Sequence, residues 1–555
     1  MRRAAALGAA SLFLAALAAA PAQGASDLTF PPTQDRPPPG HVRSARQVLS
    51  IANTVPKVRA ILPHHRGWTE TAYLKGPARW QVSWFDPEHK GKPRKEIAQV
   101  IVDDRTGSVV EAWTGFQVAW TMARGYPGAF GRKADALYVW IPLCVLFLVP
   151  FVDPRRPLRL LHLDLLVLLG FSVSLAFFNH GQIGVSVPLA YPFLGYLLVR
   201  LLAAARPRAR PPDPVRLLVP AGWLAVALVF LVGFRVGLNV VNSNVIDVGY
   251  AGVIGADRLT HGQSLYGHFP SDNEHGDTYG PANYYAYVPF EQALPWSGHW
   301  DDLPAAHAAT VFFDLACLLL LWFLGWRIRG PTLGIALAYA WAAYPFTLFA
   351  LCSNSNDTLV AALVLAMLAV ATSAPARGAL AAFAGLTKFA PLALAPLLAT
   401  YRAGRRDIAV FVAAFAAMAA LVLVPVFLQG DLRLFWDRTI GFQETRGSPF
   451  SIYGLVGGLG TLQAAVKIGA IALALAVALV PRRRDLVTLA ALAGAVLVAV
   501  QLGITHWFYL YLVWFFPLAM IALLGRRLEN RAPRGATAGG ERAPAPARSS
   551  QPVAA

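Results

Sequence analysis

Long apolar stretches recur along this 555-residue chain and leave it one kind of fold. They run over 136–152, 163–179, 183–202, 217–238, 305–326, 332–350, 358–374, 408–429, 460–480, 486–503 and 507–525. A helix crosses about 30 Å of hydrocarbon with roughly 20 residues. Backbone in lipid finds no water to bond, so a crossing segment must satisfy its own polar groups. The stretches therefore read as helices, about 11 spans of an all-α polytopic membrane protein. Charged residues make up only 14% of the chain and hydrophobic ones 56%. A soluble protein of this length would need far more charge to cover its surface.

The net charge of +18 does not point to nucleic acid. The arginines sit in short connectors: Arg155-Arg156, Arg206 to Arg210, Arg327 to Arg329, Arg377, Arg402 to Arg406, Arg482 to Arg484 and Arg526-Arg527. That is the pattern of cytoplasmic loops under the positive-inside rule, and no aromatic-basic nucleic-acid module accompanies it. Cys144, Cys317 and Cys352 lie in or beside apolar spans and make neither a disulfide framework nor a metal knuckle.

Residues 1–24 read as a signal peptide: Arg2 and Arg3, an apolar core from Ala4 to Ala20, then the small residues Ala20-Pro21-Ala22. An uncleaved first helix is the alternative, and in either case the next segment lies outside. A Pro-rich linker covers 25–40. Residues 41–125 form a small α+β extracytoplasmic domain, with a helix over His41 to Leu62 and strands over Ala78 to Phe85 and Ile97 to Asp104. Its D-x-x-T-G-x-V-V turn, Asp103 to Val110, resembles a PepSY-type domain. That likeness implies a binding or regulatory role and no catalysis.

With this domain outside, nearly all the basic connectors fall on the cytoplasmic side. Accessory transmembrane helices occupy 136–205, a larger membrane domain 215–525, and a disordered basic cytoplasmic tail 526–555. The segment from Arg377 to Arg402 carries cytoplasmic-type charge at both ends yet is too short for two crossings. It reads as a broken helical hairpin with Thr387 and Lys388 near its tip, and backbone broken at that depth lines protein or a cavity. Alanine-rich spans with frequent Arg and Pro suggest a bacterium of high-GC genome, and hence a multi-pass bacterial plasma-membrane protein.

One connector is too long for a turn. Asn239 to Pro304 is polar, aromatic and acidic, which marks an extracytoplasmic active site. Within it GYAGVIGADRL, after Asp247, is amphipathic and suits a helix lying along the interface. The pattern D-x-x-x-A-x-x-x-x-A-D-R-L-x-x-G-x-x-L-Y, from Asp247 to Tyr266, resembles the first outer loop of GT-C superfamily membrane glycosyltransferases. It is most similar to glycosyltransferase family 87, the polyprenyl-phosphate-mannose-dependent mannosyltransferases. GDTYGPANYYAYVPFE (Gly276 to Glu291), SNSNDTLVAALV (from Ser353), GLTKFAPLALAP (around Lys388) and THWFYLYLVWFFP (around His506) extend the resemblance over 215–525.

The resemblance implies a GT-C-like bundle. It would move a sugar, mannose by family habit, from a polyprenyl-phosphate donor to a hydroxyl of a cell-envelope glycolipid or polysaccharide, with inversion, on the outer face. Asp247 would be the general base, since a sugar hydroxyl must lose its proton as it attacks; capping the following helix is the other reading. Tyr279, Tyr284, Tyr285 and Tyr287 would stack on sugar faces, or serve as interfacial aromatics. Asn356 and Asp357 would bind sugar hydroxyls, or cap a helix. Lys388 would face the donor phosphate, or pair with a carboxylate. His506 would contact phosphate or acceptor, or be structural. The Trp436 to Arg446 segment would line the acceptor side.

Asp314 inside a span needs a partner, and Arg235 in the preceding span is the natural one. The long loop's His261, His268, Asp272, Glu274, His275, Asp277, His299, Asp301 and Asp302 match no tight metal motif and read as solvated. No cofactor is expected, though a divalent metal is not excluded. A multi-span transporter or flippase of lipid-linked sugars is the alternative function. It would place polar residues near the midplane and carry internal repeats, whereas here the polar residues gather at one face.

Overall fold

The computed structural model describes residues 28–87, 94–206, 213–481 and 484–528. The signal-peptide region, most of the tail and parts of two basic connectors lie outside them.

The N-terminal domain is a five-stranded antiparallel sheet in sequential order: β1 (Leu28–Thr29), β2 (Thr69–Lys75), β3 (Arg79–Phe85), β4 (Glu96–Asp103) and β5 (Val109–Thr114). Two short helices, α1 (Ala45–Ala52) and α2 (Pro56–Ile61), pack on one face. Ser44 and Gln47 close a capping box that starts α1. The expected single helix breaks where Pro56 cannot continue the hydrogen-bond ladder. Three strands, β1, β2 and β5, escaped the sequence reading. β1 lies in the stretch read as linker and pairs with the end of β2. Along β3, Trp80, Val82 and Trp84 fill the helix-side core while Gln81 and Ser83 are buried on the other face. That second face receives Arg124, whose Nη2 donates to Gln99 Oε1 at 2.6 Å.

Residues 116–135 then dock on the membrane bundle. Gln117 Nε2 donates to the Gly181 carbonyl at 3.0 Å. Asn244 Oδ1 accepts the Gly131 N–H at 2.8 Å, and Asn242 Oδ1 accepts that of Lys133 at 3.1 Å. A Cβ on Gly125 would stand 2.2 Å from the Phe178 carbonyl oxygen, so this close crossing needs a glycine.

The bundle contains α3 (Leu137–Leu148), α4 (Leu160–Asn179), α5 (Ile183–Ala205), α6 (Ala221–Val241), α7 (Asp247–Thr260), α8 (Pro281–Ala293), α9 (Pro304–Arg329) and α10 (Pro331–Ala343). It continues with α11 (Pro345–Cys352), α12 (Asp357–Ala369), α13 (Ala374–Gly385), α14 (Ala395–Ala399), α15 (Arg405–Leu428), α16 (Gly460–Leu479), α17 (Leu486–Gly503) and α18 (Leu512–Leu524). Seven helices among the described residues are long and apolar enough to cross a membrane: α4, α5, α6, α9, α15, α16 and α17. The bent pair α10 and α11, broken by 59° at Pro345, would be an eighth. The expected count of about 11 was higher because three of the apolar stretches form helices too short to qualify: α3 has 12 residues, α12 has 13 and α18 has 13. α12 and α18 are short and buried almost throughout, so their apolar residues face protein.

The accessory helices are not a separate body. α4 and α5 share one hydrophobic core with α11, α17 and α18. Ser174 Oγ meets Tyr509 Oη at 2.7 Å, and the rings of Tyr344 and Phe516 stack at 4.0 Å. Arg235 on α6 and Asp314 on α9 form a buried two-point ion pair, with Nε–Oδ2 at 3.2 Å and Nη2–Oδ1 at 2.5 Å. Trp341 Nε1 adds a bond to Asp314 Oδ1 at 2.8 Å. Between Arg377 and Arg402 the chain is a broken hairpin: α13, a break at Leu386 to Phe389, then a 3-10 turn and α14. Its ends meet, for the Arg377 guanidinium lies 5.8 Å from the Tyr401 ring centre.

Candidate functional site

The long connector is folded. α7 is buried from Gly249 to Ala256 and does not lie along a surface as its amphipathic pattern suggested. Glycines spaced three apart explain this. A Cβ at Gly249 would meet the Asn354 carbonyl at 2.0 Å, one at Gly252 the Tyr287 ring at 2.7 Å, and one at Gly255 the Tyr284 ring at 2.1 Å. The glycine face lets α8 and the SNSND turn close onto α7, a fit that larger residues would prevent.

Asp247 is the first residue of α7, and the cap position belongs to Ile246. The backbone before it is clamped: the Ile246 N–H donates to the Ser353 carbonyl at 3.2 Å, and Asn354 Nδ2 to the Asn244 carbonyl at 3.1 Å. Asn273 Nδ2 donates to the Asp247 carbonyl at 2.9 Å. The side chain is solvent-accessible yet ringed by protein. That crowding pushes its carboxyl above the ordinary range, while the Val248 N–H and the charges of Arg446 and Lys388 pull it back. Asp247 is thus accessible, fixed in place and more basic than a free carboxylate, as a proton acceptor should be.

Lys388 sits at the hairpin break, where the Leu386 carbonyl accepts the Ala282 N–H at 3.1 Å and locks the tip to the start of α8. Of its two readings, the structure contains carboxylate pairing. Nζ lies 2.6 Å from Asp357 Oδ1, which also accepts from Trp514 Nε1 at 2.8 Å. The rings of Tyr279, Tyr511 and Trp514 stand 5.5, 5.2 and 5.2 Å from the ammonium. Lys388 is 8% exposed and Asp357 1%, so Asp357 is an ion-pair partner and neither a helix cap nor an open sugar ligand.

Beside this pair opens a cavity of about 500 Å³. Its polar lining includes Lys388, Arg446, Lys467, Tyr279 and His506, with one carboxylate, Glu444. Its apolar lining comes from Leu392 and Ala393 of the hairpin and from Val500 and Ile504 at the end of α17. The Arg446 guanidinium lies 5.4 Å from the ring centres of both Trp120 and Phe442. Trp120 also packs on His506 and Phe450, so the docking segment of the N-terminal domain forms the outer backing of this site. His506 Nδ1 is 3.0 Å from Ser448 Oγ, which already accepts the Phe450 N–H at 3.2 Å. The Ser448 hydroxyl can give its proton to Nδ1 or accept one from it, so this contact suits either tautomer of the ring. Enclosure, then the charges of Arg446 and Lys388, push the imidazole well below its usual range, so it is neutral at pH 7.

Other expected site residues fall elsewhere. Tyr284 is fully buried and donates to the Gly276 carbonyl at 3.0 Å, and Tyr287 packs on Phe313; both are core. Tyr285 is half-buried and outside the cavity lining. Asn356 is buried, with Nδ2 donating to Asn283 Oδ1 at 2.7 Å. Asp277, read as solvated, is buried and accepts the Gly267 N–H at 2.6 Å, with Arg438 at 3.3 Å. Among the described residues no three His, Cys, Asp or Glu side chains converge on a metal-sized site. Sequence reasoning missed Lys467, Tyr511 and Trp514. Lys467 had a signal, being the one charged residue in the 460–480 stretch, and an intramembrane cation marks function by default.

A family model described as glycosyltransferase family 87 matches residues 278–503. The match takes in Tyr279, Asp357, Lys388, Arg446 and Lys467 and ends short of Asp247 and His506. No curated protein and no solved structure matches the chain.

Proposed function

We propose that this chain, whose residues 278–503 match the model of glycosyltransferase family 87, is a membrane glycosyltransferase whose donor is a polyprenyl-phosphate sugar. The observation that carries the proposal is the cavity, whose lining joins the cations Lys388, Arg446 and Lys467, with one carboxylate, Glu444, to apolar side chains. A phosphate group matches the cations and a prenyl tail the apolar side chains. Arg446 can hold two phosphate oxygens at once. Lys467 adds a point charge. Lys388, engaged by Asp357, has further N–H donors to offer, and His506 adds a neutral imidazole to the lining.

The sugar, mannose in this reading, would project towards Asp247 at the outer face. An acceptor hydroxyl of an envelope glycolipid or polysaccharide attacks the anomeric carbon from the side opposite the phosphate. The new carbon–oxygen bond forms as the bond to the phosphate oxygen breaks. The electron pair leaves with the phosphate, the hydroxyl proton passes to the Asp247 carboxylate, and configuration inverts. Fixed cations stabilise the charge that grows on the leaving phosphate. Tyr279 offers a ring to the sugar. A transporter reading leaves the family match without a purpose.

The test is transfer of radiolabel from polyprenyl-phosphate mannose into an envelope-lipid extract by the purified protein in nanodiscs. Label reaching a new product with wild type, and not with Asp247→Asn, supports both donor and base. Transfer by both removes Asp247 from the chemistry. Transfer from a different lipid-linked sugar alone overturns mannose.

A further inference from the structure

At the other end of the bundle lies a second cavity, of about 540 Å³, which the proposed reaction does not use. α17 begins at Leu486 in this cavity and carries Val500, which lines the first one. At 1.5 Å per residue the 14 residues between them span about 21 Å, so the two cavities lie towards opposite ends of α17.

Arg327, Arg329, Arg402 and Arg526 line it, with Asp485 and Tyr401. Asp485 is the one carboxylate, and Arg526 takes both of its oxygens, at 2.8 and 2.9 Å. The other three guanidiniums have no carboxylate partner among the described residues. They are held instead by backbone carbonyls: Arg327 Nη1 donates to Ala369 at 2.7 Å, Arg402 Nε to Arg484 at 3.1 Å, and Arg329 Nη1 to Arg526. A carbonyl orients a guanidinium without neutralising it. Arg402 also adopts a left-handed backbone, φ +49°, which costs a side-chain-bearing residue stability. Its guanidinium lies 5.8 Å from the ring centre of buried Tyr401.

Arginine is common at the cytoplasmic ends of spans, and orientation alone requires only that it be there. Orientation does not require three uncompensated guanidiniums to be pinned into one concavity, one of them on strained backbone. Strain kept at a charged pocket is a pointer to function, and guanidinium forks match phosphate oxygens. The cavity sits at the ends of the spans, the depth of lipid headgroups.

We propose that this cavity is a second, non-catalytic site for an anionic phosphate group, supplied by the headgroup of a membrane lipid at that face. The phosphate would compensate the free guanidiniums and tie α9, α17 and the close of the hairpin together. Since the hairpin also carries Lys388, its occupancy would steady the distant catalytic cavity.

The test is the melting temperature of the full chain in nanodiscs. One arm compares purely zwitterionic lipid with lipid containing phosphatidylglycerol or cardiolipin. A second adds soluble pyrophosphate to the zwitterionic discs. The variants are Arg327→Gln and Arg402→Gly. The glycine removes the charge and suits the left-handed backbone, so that protein is expected to fold at least as well as wild type in zwitterionic lipid. Anionic lipid should raise the wild-type midpoint by roughly 2–4 °C and leave both variants unmoved. A rise with pyrophosphate alone, lost in the variants, keeps the phosphate site and overturns the lipid as its source. An equal rise in wild type and both variants overturns the site.

Discussion

Asp247 illustrates how one residue's surroundings set its task. Its folded carboxyl is raised by crowding, so ionisation works against the folded state. That penalty is absent below the unfolded pKa and complete once pH passes the folded one. Asp247→Asn removes it. The variant should melt no lower than wild type at neutral pH, while transfer falls by roughly 10²–10⁴-fold. For the same reason the acid limb of kcat/KM should lie above the ordinary carboxylate value near 4; a limb at the ordinary value would remove Asp247 as the base. Lys388 and Asp357 carry a different burden. Each is buried and depends on the other for its charge. Lys388→Met leaves an unpaired carboxylate and is expected to cost about 3–5 kcal/mol in unfolding experiments. Adding Asp357→Leu should recover part of that loss. Full additivity of the two changes would deny the coupling.

Among the elements, α7 depends on its bare glycine face. Gly255→Val has no room beside Tyr284 and is expected to abolish monodisperse protein, as size-exclusion chromatography would reveal; a well-behaved active Val variant would mean the contact is not tight. The docking segment depends on Trp120. Its ring backs both Arg446 and His506, and a cation–aromatic contact is worth about 1 kcal/mol. Trp120→Ala should therefore raise KM for the lipid donor roughly fivefold with little change in kcat, and Trp120→Phe should restore most of it. Equal falls in kcat for both variants would point to general damage. Through Trp120 the N-terminal domain touches the site, a connection that gives this otherwise separate domain a route to influence donor binding.

The molecule as a whole sets two charged cavities towards opposite ends of α17. Ser271→Cys, near the first, and Arg405→Cys, near the second, stand on exposed positions. In sealed membrane vesicles a maleimide that cannot cross lipid should label one from the outside and the other only after the vesicles are opened. Labelling of both from one side would overturn the assignment of the cavities to opposite faces. The native cysteines are buried or partly so, which keeps the background low.

The sequence determined what a one-dimensional pattern can carry. Apolar length fixed a helical membrane bundle, charge at both ends of 377–402 required a hairpin, and the length and polarity of 239–304 marked a candidate site, within which a family resemblance pointed to Asp247. Asp314 named its own need for a cation, since an intramembrane charge cannot stay unpaired. Tertiary structure decided whatever depends on which surfaces meet. Hydropathy could not tell that α12 and α18 are wrapped by protein, because lipid and protein interiors are equally apolar. It could not foresee that the glycines of α7 draw Tyr284 and Tyr287 into the core, leaving Tyr279 at the cavity. Nor could spacing reveal that Asp357 takes Lys388 for itself, or that Arg446, Lys467 and Trp120, far apart in the chain, converge on one site. Proximity of that kind is a product of folding, and no local signal encodes it.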